Sequence, residues 1–169
     1  MKKLIFVNGT MGVGKTETCR YLKKLLAPSV FLDGDWCWDM EPFTVDDATK
    51  AMVIDNISHL LNGFLSCPDF ENIVFCWVMH EKSIVDDILE RIDSARCDKF
   101  FLFTLVASEE ALVARLRKDI SEGRRKPDVI GRSLERASHY RFADSVKVDV
   151  TKITAEEAAL VIADAVNGD

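Results

Sequence analysis

The stretch that most constrains this chain is Gly9-Thr10-Met11-Gly12-Val13-Gly14-Lys15-Thr16. Gly9, Gly14, Lys15 and Thr16 fit the spacing G-x-x-x-x-G-K-[ST]. A row of phosphate oxygens can be surrounded by backbone N–H groups only where the chain coils tightly, and glycine tolerates that coil. A helix that starts directly after the loop points its positive end at the same anion. Lys15 adds a mobile cation for the β- and γ-phosphates, and Thr16 offers a hydroxyl to Mg²⁺. Thr10, Met11, Gly12, Val13 and the following Glu17 complete the expected nucleotide-binding set.

Four fixed positions would match by accident on the order of once in 200 chains of this length. The surroundings make an accident rarer still. Residues 3–7 form a short apolar run with β-branched members, as in a buried parallel strand. Beyond the loop, Cys19, Leu22, Leu25 and Leu26 recur at helical spacing until Pro28. Strand, glycine loop and helix is the setting the motif requires.

The remainder alternates in the same way. Apolar runs at 29–32, 72–78, 99–106 and 146–150 read as strands. A helix capped near Asp46 and Asp47 would bury Val53, Ile57, Leu60, Leu61 and Phe64. The next would bury Ile84, Ile88, Leu89, Ile92 and Ala95. Ser108 with Glu109 and Glu110 starts another, carrying Leu112, Leu116 and Ile120 on one face. Residues 122–128 are charged, with Gly and Pro, and read as an exposed loop. Residues 128–140 can form a helix with Ile130, Leu134 and Ala137 apolar. Thr154 and Glu157 make a capping box for a last helix with Ala158, Val161, Ile162 and Ala165 inward. Alternating strands and helices imply an α/β fold with a parallel sheet covered on both faces. Ligands then sit at the carboxyl ends of the strands.

A single domain over residues 1–169 is expected, with a lid region at about 115–141. The 48% apolar and 30% charged fractions are those of a globular protein without a membrane span. The apolar stretch after Lys2 and Lys3 stops at Asn8, so it is not read as an export signal. Five scattered cysteines without C-x-x-C spacing suit reduced thiols, and a cytoplasmic location is expected. Cys19 and Cys76 fall on predicted core faces. The net charge of −6 disfavours nucleic acid as a partner. Residues 115–141 nevertheless carry nine Lys and Arg against four Asp and Glu. A local basic cluster in an acidic chain suits a small polyanion.

The second informative stretch is Asp33-Gly34-Asp35, at the end of a predicted strand. Phosphoryl transfer to an alcohol needs the acceptor hydroxyl aligned with the γ-phosphorus and a group to take its proton. A carboxylate beside the phosphate loop is placed for that task, and a second can hold a Mg²⁺-bound water.

The strand ending Leu32-Asp33-Gly34-Asp35, together with the glycine loop, resembles the P-loop small-molecule kinases. It looks like adenylyl-sulfate kinase and gluconate kinase, and is similar in layout to shikimate kinase and chloramphenicol phosphotransferase. The resemblance implies a P-loop NTPase three-layer sandwich, a five-stranded parallel sheet of order 2-3-1-4-5, a helical lid, and ATP with Mg²⁺. It also implies that Asp35 touches the acceptor hydroxyl and that Asp33 assists through metal-bound water or substrate. The last strand, Val148-Asp149-Val150-Thr151, would pass near adenine. The third strand, ending Trp77-Val78-Met79-His80, has no acid within it. Mg²⁺ would then rest on Thr16, phosphates, water and Asp33.

In this class a lid brings arginines over the transferring phosphate, a role that suits the forked, permanently charged guanidinium. Arg124, Arg125 and Arg132 are the candidates, with Arg125 in the catalytic set beside Lys15, Asp33 and Asp35. Arg117 is the candidate to stack near adenine. Trp36, Trp38, Phe43 and His80 are expected to line the acceptor pocket, whereas Trp77 reads as core. The expectation is an ATP- and Mg²⁺-dependent kinase acting on a hydroxyl of an unidentified small molecule, as a monomer or weak homodimer. A nucleoside or nucleotide acceptor is the narrower alternative, and a nucleotide-dependent switch without an acceptor is the alternative of another class.

Overall fold

Strand β1 (Lys3–Asn8) turns Leu4 and Phe6 to one face and Ile5 and Val7 to the other, and all four are fully buried. A strand apolar on both sides can only be central, and β1 pairs in parallel with β3 (Asn72–Cys76) and β4 (Lys99–Val106). Strands β2 (Ser29–Asp33) and β5 (Val146–Asp149) complete the sheet, whose order is β2-β3-β1-β4-β5. Every pairing is parallel. This is the α/β fold and strand order that the resemblance implies. The computed structural model describes residues 1–140 and 144–168, so Arg141, at the end of the expected lid region, lies outside the described residues.

Among the described residues, six α-helices accompany the strands. They are α1 (Lys15–Leu25), α2 (Asp47–Ser66), α3 (Lys82–Arg91), α4 (Glu109–Ser121), α5 (Val129–Ala137) and α6 (Ala155–Gly168). Their starts follow the capping chemistry of the sequence. Asp46 and Thr49 exchange side-chain and backbone hydrogen bonds at α2, and Thr154 and Glu157 do so at α6. Ser108 Oγ accepts from the Ala111 N–H at α4.

Two cores lie on opposite faces of the sheet. Ile5, Val7, Cys19, Leu22, Phe103 and Ile162 join the sheet to α1 and α6. Leu4, Phe6, Ile57, Leu61, Phe75 and Ile88 join it to α2 and α3. Burying one such side chain contributes about 1.5–3 kcal/mol. Cys19 and Cys76 are both buried, as their positions predict.

Some inward faces differ from the sequence expectation. Leu60 and Val161 are exposed, whereas Ile54, Leu65, Ala159, Ala163 and Val166 are buried. Ala165 also faces solvent, and Ala95 lies beyond α3, exposed. Helices α2 and α6 thus rest on their cores a little rotated from the stripe drawn through their largest side chains. Among the described residues, no helix is long and apolar enough to cross a membrane.

Candidate active site

Strand β1 ends in Asn8, whose buried amide ties two segments together. Its Nδ2 donates to the Met79 carbonyl at 2.7 Å, and its Oδ1 accepts from the backbone N–H groups of Gly9 (2.8 Å) and Met79 (3.0 Å). The glycine loop is thus fixed to the segment after β3 before it begins to coil. Gly9 has φ +143°, and a Cβ there would lie 2.7 Å from the Leu105 carbonyl oxygen. Gly14, at φ +103°, caps α1 in a left-handed conformation. The first-turn N–H groups of α1 have no acceptor within the helix and face the loop's mouth.

Lys15 Nζ donates to the carbonyls of Gly9 (2.8 Å) and Thr10 (3.0 Å). Burial lowers its pKa, against the influence of Cys76, Asp35 and Asp33. The Thr16 hydroxyl donates to Asp33 Oδ2 at 2.6 Å, which joins the start of α1 to the end of β2. Asp33 is only 5% exposed, and its other oxygen accepts from the Asp35 N–H at 3.1 Å. That bond caps the short 3₁₀ helix Gly34–Trp38 and turns Asp35 into the cleft.

Asp35 opens onto the cleft, yet the walls remove enough water to push its carboxyl pKa up, and the adjacent Asp33 charge adds to this. Lys15, the Trp77 indole and Arg125 act in the opposite direction. The glycine between the two acids has a steric reason. A Cβ on Gly34 would lie 2.6 Å from Cδ1 of the Trp77 indole. Trp77 is therefore a core residue that also lines the cleft, and it does so directly against the Asp33-Gly34-Asp35 turn.

Two residues outside the sequence reading brace the loop. Arg115 on α4 donates to the carbonyls of Val13 (3.2 Å) and Val150 (2.5 Å), bridging the glycine loop to the end of β5. Ser133 on α5 is fully buried. Its Oγ donates to the Met11 carbonyl (2.7 Å), and its own carbonyl accepts from Thr10 Oγ1 (2.7 Å). A signal for Ser133 existed, since a lone serine falls on the buried side of α5 four residues after Val129. Asn8, a polar residue closing an apolar strand, was also legible in principle. Arg115 carried no such signal, since the cluster offers several equivalent arginines.

The loop between α4 and α5 supplies cations. Arg124 and Arg125 both line the cleft, and both pair with Asp119, at 2.9 and 3.2 Å. Arg124 also contacts Glu122. Arg132 lies farther along, paired with Asp128 at 3.1 Å, and is not among the cleft-lining residues. Arg117 is exposed and outside the cleft.

Trp36, Trp38, Phe43 and His80 do not line this cleft either. Trp36 is 55% exposed, edge-on to Phe31 at 5.3 Å. Trp38 stands 6.0 Å from both Phe43 and Trp77, and its indole donates to the Thr44 carbonyl at 3.2 Å. These aromatics continue outward from Trp77. His80 lies two residues past the cleft-lining Val78.

The cleft has a volume of about 400 Å³ and contains Lys15, Thr16, Asp33, Asp35, Arg124 and Arg125. Val13, Gly14, Thr18, Arg115, Val150 and Ile153 line an adjoining groove of about 190 Å³. No group of three or more His, Cys, Asp or Glu could hold a metal among the described residues. The Thr16 hydroxyl and the Asp33 carboxylate nonetheless bring hard oxygens together at 2.6 Å. Mg²⁺ characteristically takes one or two protein oxygens plus phosphates and water, so the donor set fits it.

A parallel 2-3-1-4-5 sheet with a glycine loop between β1 and α1 defines the P-loop class of nucleotide-binding folds. The chain belongs to the AAA domain family, whose model matches residues 5–138. No curated protein matches it by sequence. Among solved structures, it is similar to the tunicamycin resistance protein of Deinococcus radiodurans, with a TM-score of 0.69 and 19% identity, covering 98% of this chain and 96% of that one. A gluconokinase from Sinorhizobium meliloti 1021 gives a TM-score of 0.67 and 19% identity over the same shares. The APS kinase of Mycobacterium tuberculosis, solved with AMPPNP and APS, gives 0.67 and 16%, covering 98% of both chains. At these identities the likeness establishes the fold, which is that of P-loop kinases.

Proposed function

We propose that the chain is a Mg²⁺- and ATP-dependent kinase that transfers a phosphoryl group to a hydroxyl of a small molecule. The observation that carries this reading is the placement of Asp35. Its carboxylate shares one cleft with the phosphate-loop lysine, the Thr16–Asp33 pair and two arginines. A nucleotide switch has no task for that carboxylate, whereas an alcohol acceptor does. The named kinases of the same fold, a gluconokinase and an APS kinase, support the choice.

The roles follow from the chemistry. The loop N–H groups and Lys15 bind the β- and γ-phosphates, with Lys15 exchanging the carbonyls of Gly9 and Thr10 for phosphate oxygens. The base occupies the groove beside Arg115 and Val150. When bound, Mg²⁺ neutralises phosphate charge, with Thr16 and Asp33 as the residues that hold it or its water. The acceptor oxygen forms a bond to the γ-phosphorus, the bond to the ADP oxygen breaks, and the acceptor proton passes to Asp35. Arg124 and Arg125 cover the charge that spreads over the transferring group.

The test is ADP formation from Mg-ATP across hydroxyl-bearing metabolites, nucleosides and antibiotics, with Asp35→Asn as control. An acceptor that raises the rate many-fold in the wild type and not in Asp35→Asn is the expected result. Equal slow hydrolysis by both proteins, indifferent to every acceptor, sinks the proposal.

A further inference from the structure

The glycine loop must turn N–H groups toward an anion, and the direction of each peptide matters. The Met11–Gly12 peptide is the clearest case. Gly12 has φ +82°, and glycine tolerates the adjoining peptide turned either way. Turned the wrong way, that peptide would offer a carbonyl oxygen to a phosphate and repel it. Some other group has to hold it.

Ser133 on α5 is placed to do so. Its Oγ donates to the Met11 carbonyl at 2.7 Å. Its own carbonyl accepts from Thr10 Oγ1 at 2.7 Å, and the two hydroxyl oxygens stand 3.1 Å apart. Ser133 is fully buried and Thr10 is 3% exposed, so water does not compete for these bonds. A serine within a helix can bond back to the carbonyl one turn earlier. Ser133 instead reaches a segment 122 positions away.

The Met11–Gly12 peptide is trans, so its C=O and N–H point in opposite directions. Met11 and Gly12 line the cleft, whereas Ser133 does not. The carbonyl is therefore drawn behind the loop, and the Gly12 N–H is left facing the mouth. Among the described residues, no group accepts from that N–H. Leu116 of α4 closes the other side, since a Cβ on Gly12 would lie 2.5 Å from its Cδ2. The loop is wedged between α4 and α5, the two helices that flank Arg124 and Arg125.

We propose that Ser133 is a positioning residue for anion binding, which aims the Gly12 N–H at phosphate by holding the Met11 carbonyl. It touches neither nucleotide nor acceptor. The role rests on the nucleotide-binding part of the reading above and is independent of the acceptor.

The probe is inorganic tripolyphosphate with Mg²⁺, titrated by calorimetry and by NMR of protein carrying isotopically labelled glycine. In the wild type the Gly12 amide proton should move downfield saturably, whereas that of Gly63, on α2, should not. Ser133→Ala should raise the half-saturating concentration about tenfold, as one charge-assisted hydrogen bond is lost, and should halve the Gly12 displacement or more. Ser133→Cys keeps nearly the same volume with a weaker donor, and should raise the half-saturating concentration several-fold. Val129→Ala, which removes another buried side chain from the same helix, is the structural control. It should lower Tm yet leave the half-saturating concentration within about twofold.

A Gly12 amide that stays in place at saturation overturns the proposal. Equal losses of affinity in Ser133→Ala and Val129→Ala overturn it too, leaving Ser133 a packing residue. Wild-type affinity in both Ser133 variants removes its role and leaves the kinase reading intact. A wild type that binds neither tripolyphosphate nor an ATP analogue overturns the nucleotide reading, and this inference falls with it.

Discussion

The Thr16 hydroxyl donates to the Asp33 carboxylate at 2.6 Å, across seventeen positions of sequence. The bond joins the first turn of α1 to the end of β2, elements whose strands are not neighbours in the sheet. It orients an alcohol and an acid toward one point, while Asp33 also caps the turn that carries Asp35. One buried carboxylate therefore serves both the expected metal position and the expected catalytic base.

Asp33→Asn keeps the cap, because an amide oxygen also accepts from the Asp35 N–H. It removes the charge beside Thr16. The Mg²⁺ concentration giving half-maximal activity should rise about tenfold or more. Magnesium titration of the kinase rate checks this, and an unchanged midpoint would remove Asp33 from the metal's surroundings.

Asp35 links activity to stability with opposite signs. Burial and Asp33 raise its pKa above the ordinary 3.8. Between that value and the raised one, the folded protein binds more protons than the unfolded chain. Stability therefore falls as pH rises through that window and is level above it. Activity runs the other way, because a base works only when ionised. Asp35→Asn should lower kcat about 100-fold or more and raise Tm at neutral pH by ~2 °C or less. A lower Tm would contradict the electrostatic assignment.

Arg125 lines the same cleft as Lys15, held through Asp119 at 3.2 Å. Arg125→Ala should reduce kcat by roughly 100-fold, with the affinity for an ATP analogue changed about threefold or less. Equal losses in both would place Arg125 in ground-state nucleotide binding instead.

Arg115 and Arg117 offer a direct contrast. Arg115 bridges the carbonyls of Val13 and Val150, whereas Arg117 is exposed. Arg115→Met should weaken nucleotide binding by roughly tenfold through loss of that bridge, and Arg117→Ala should leave it nearly unchanged. Calorimetric titration with an ATP analogue distinguishes the two.

Gly34→Ala places a methyl group against the Trp77 indole. Destabilisation of about 1–3 kcal/mol is expected, as for overpacking elsewhere. Adding Trp77→Leu should recover part of the loss. Urea midpoints for the two single variants and the pair test this, and strict additivity would show that the two residues do not compete for the same space.

Much of this was readable from the chain alone. Alternating apolar runs and helices implied a parallel sheet, the kinase resemblance implied the order 2-3-1-4-5, and the sheet has both. The helix starts at Asp46, Ser108 and Thr154 were legible because capping depends on residues only a few positions apart. The inward faces of α2 and α6 were less so. Leu60 and Val161 have the right side chains, but the tilt of each helix on the sheet turns them to solvent.

Within the site, the loop from Gly9 to Thr16 and the Asp33-Gly34-Asp35 turn were determined by sequence, because each is a local arrangement of backbone and charge. Which arginine reaches the glycine loop was decided by packing. Residues 115 and 117 lie about 200° apart around one helix, so the orientation of α4 alone selects Arg115 for the bridge between the glycine loop and the end of β5. Ser133 acquires its role only when α5 lies across the loop, and Trp77 lines the cleft only because Gly34 leaves room beside it. Local motifs carry their chemistry in consecutive residues. Contacts among distant segments depend on how the helices settle on the sheet, which only the folded chain decides.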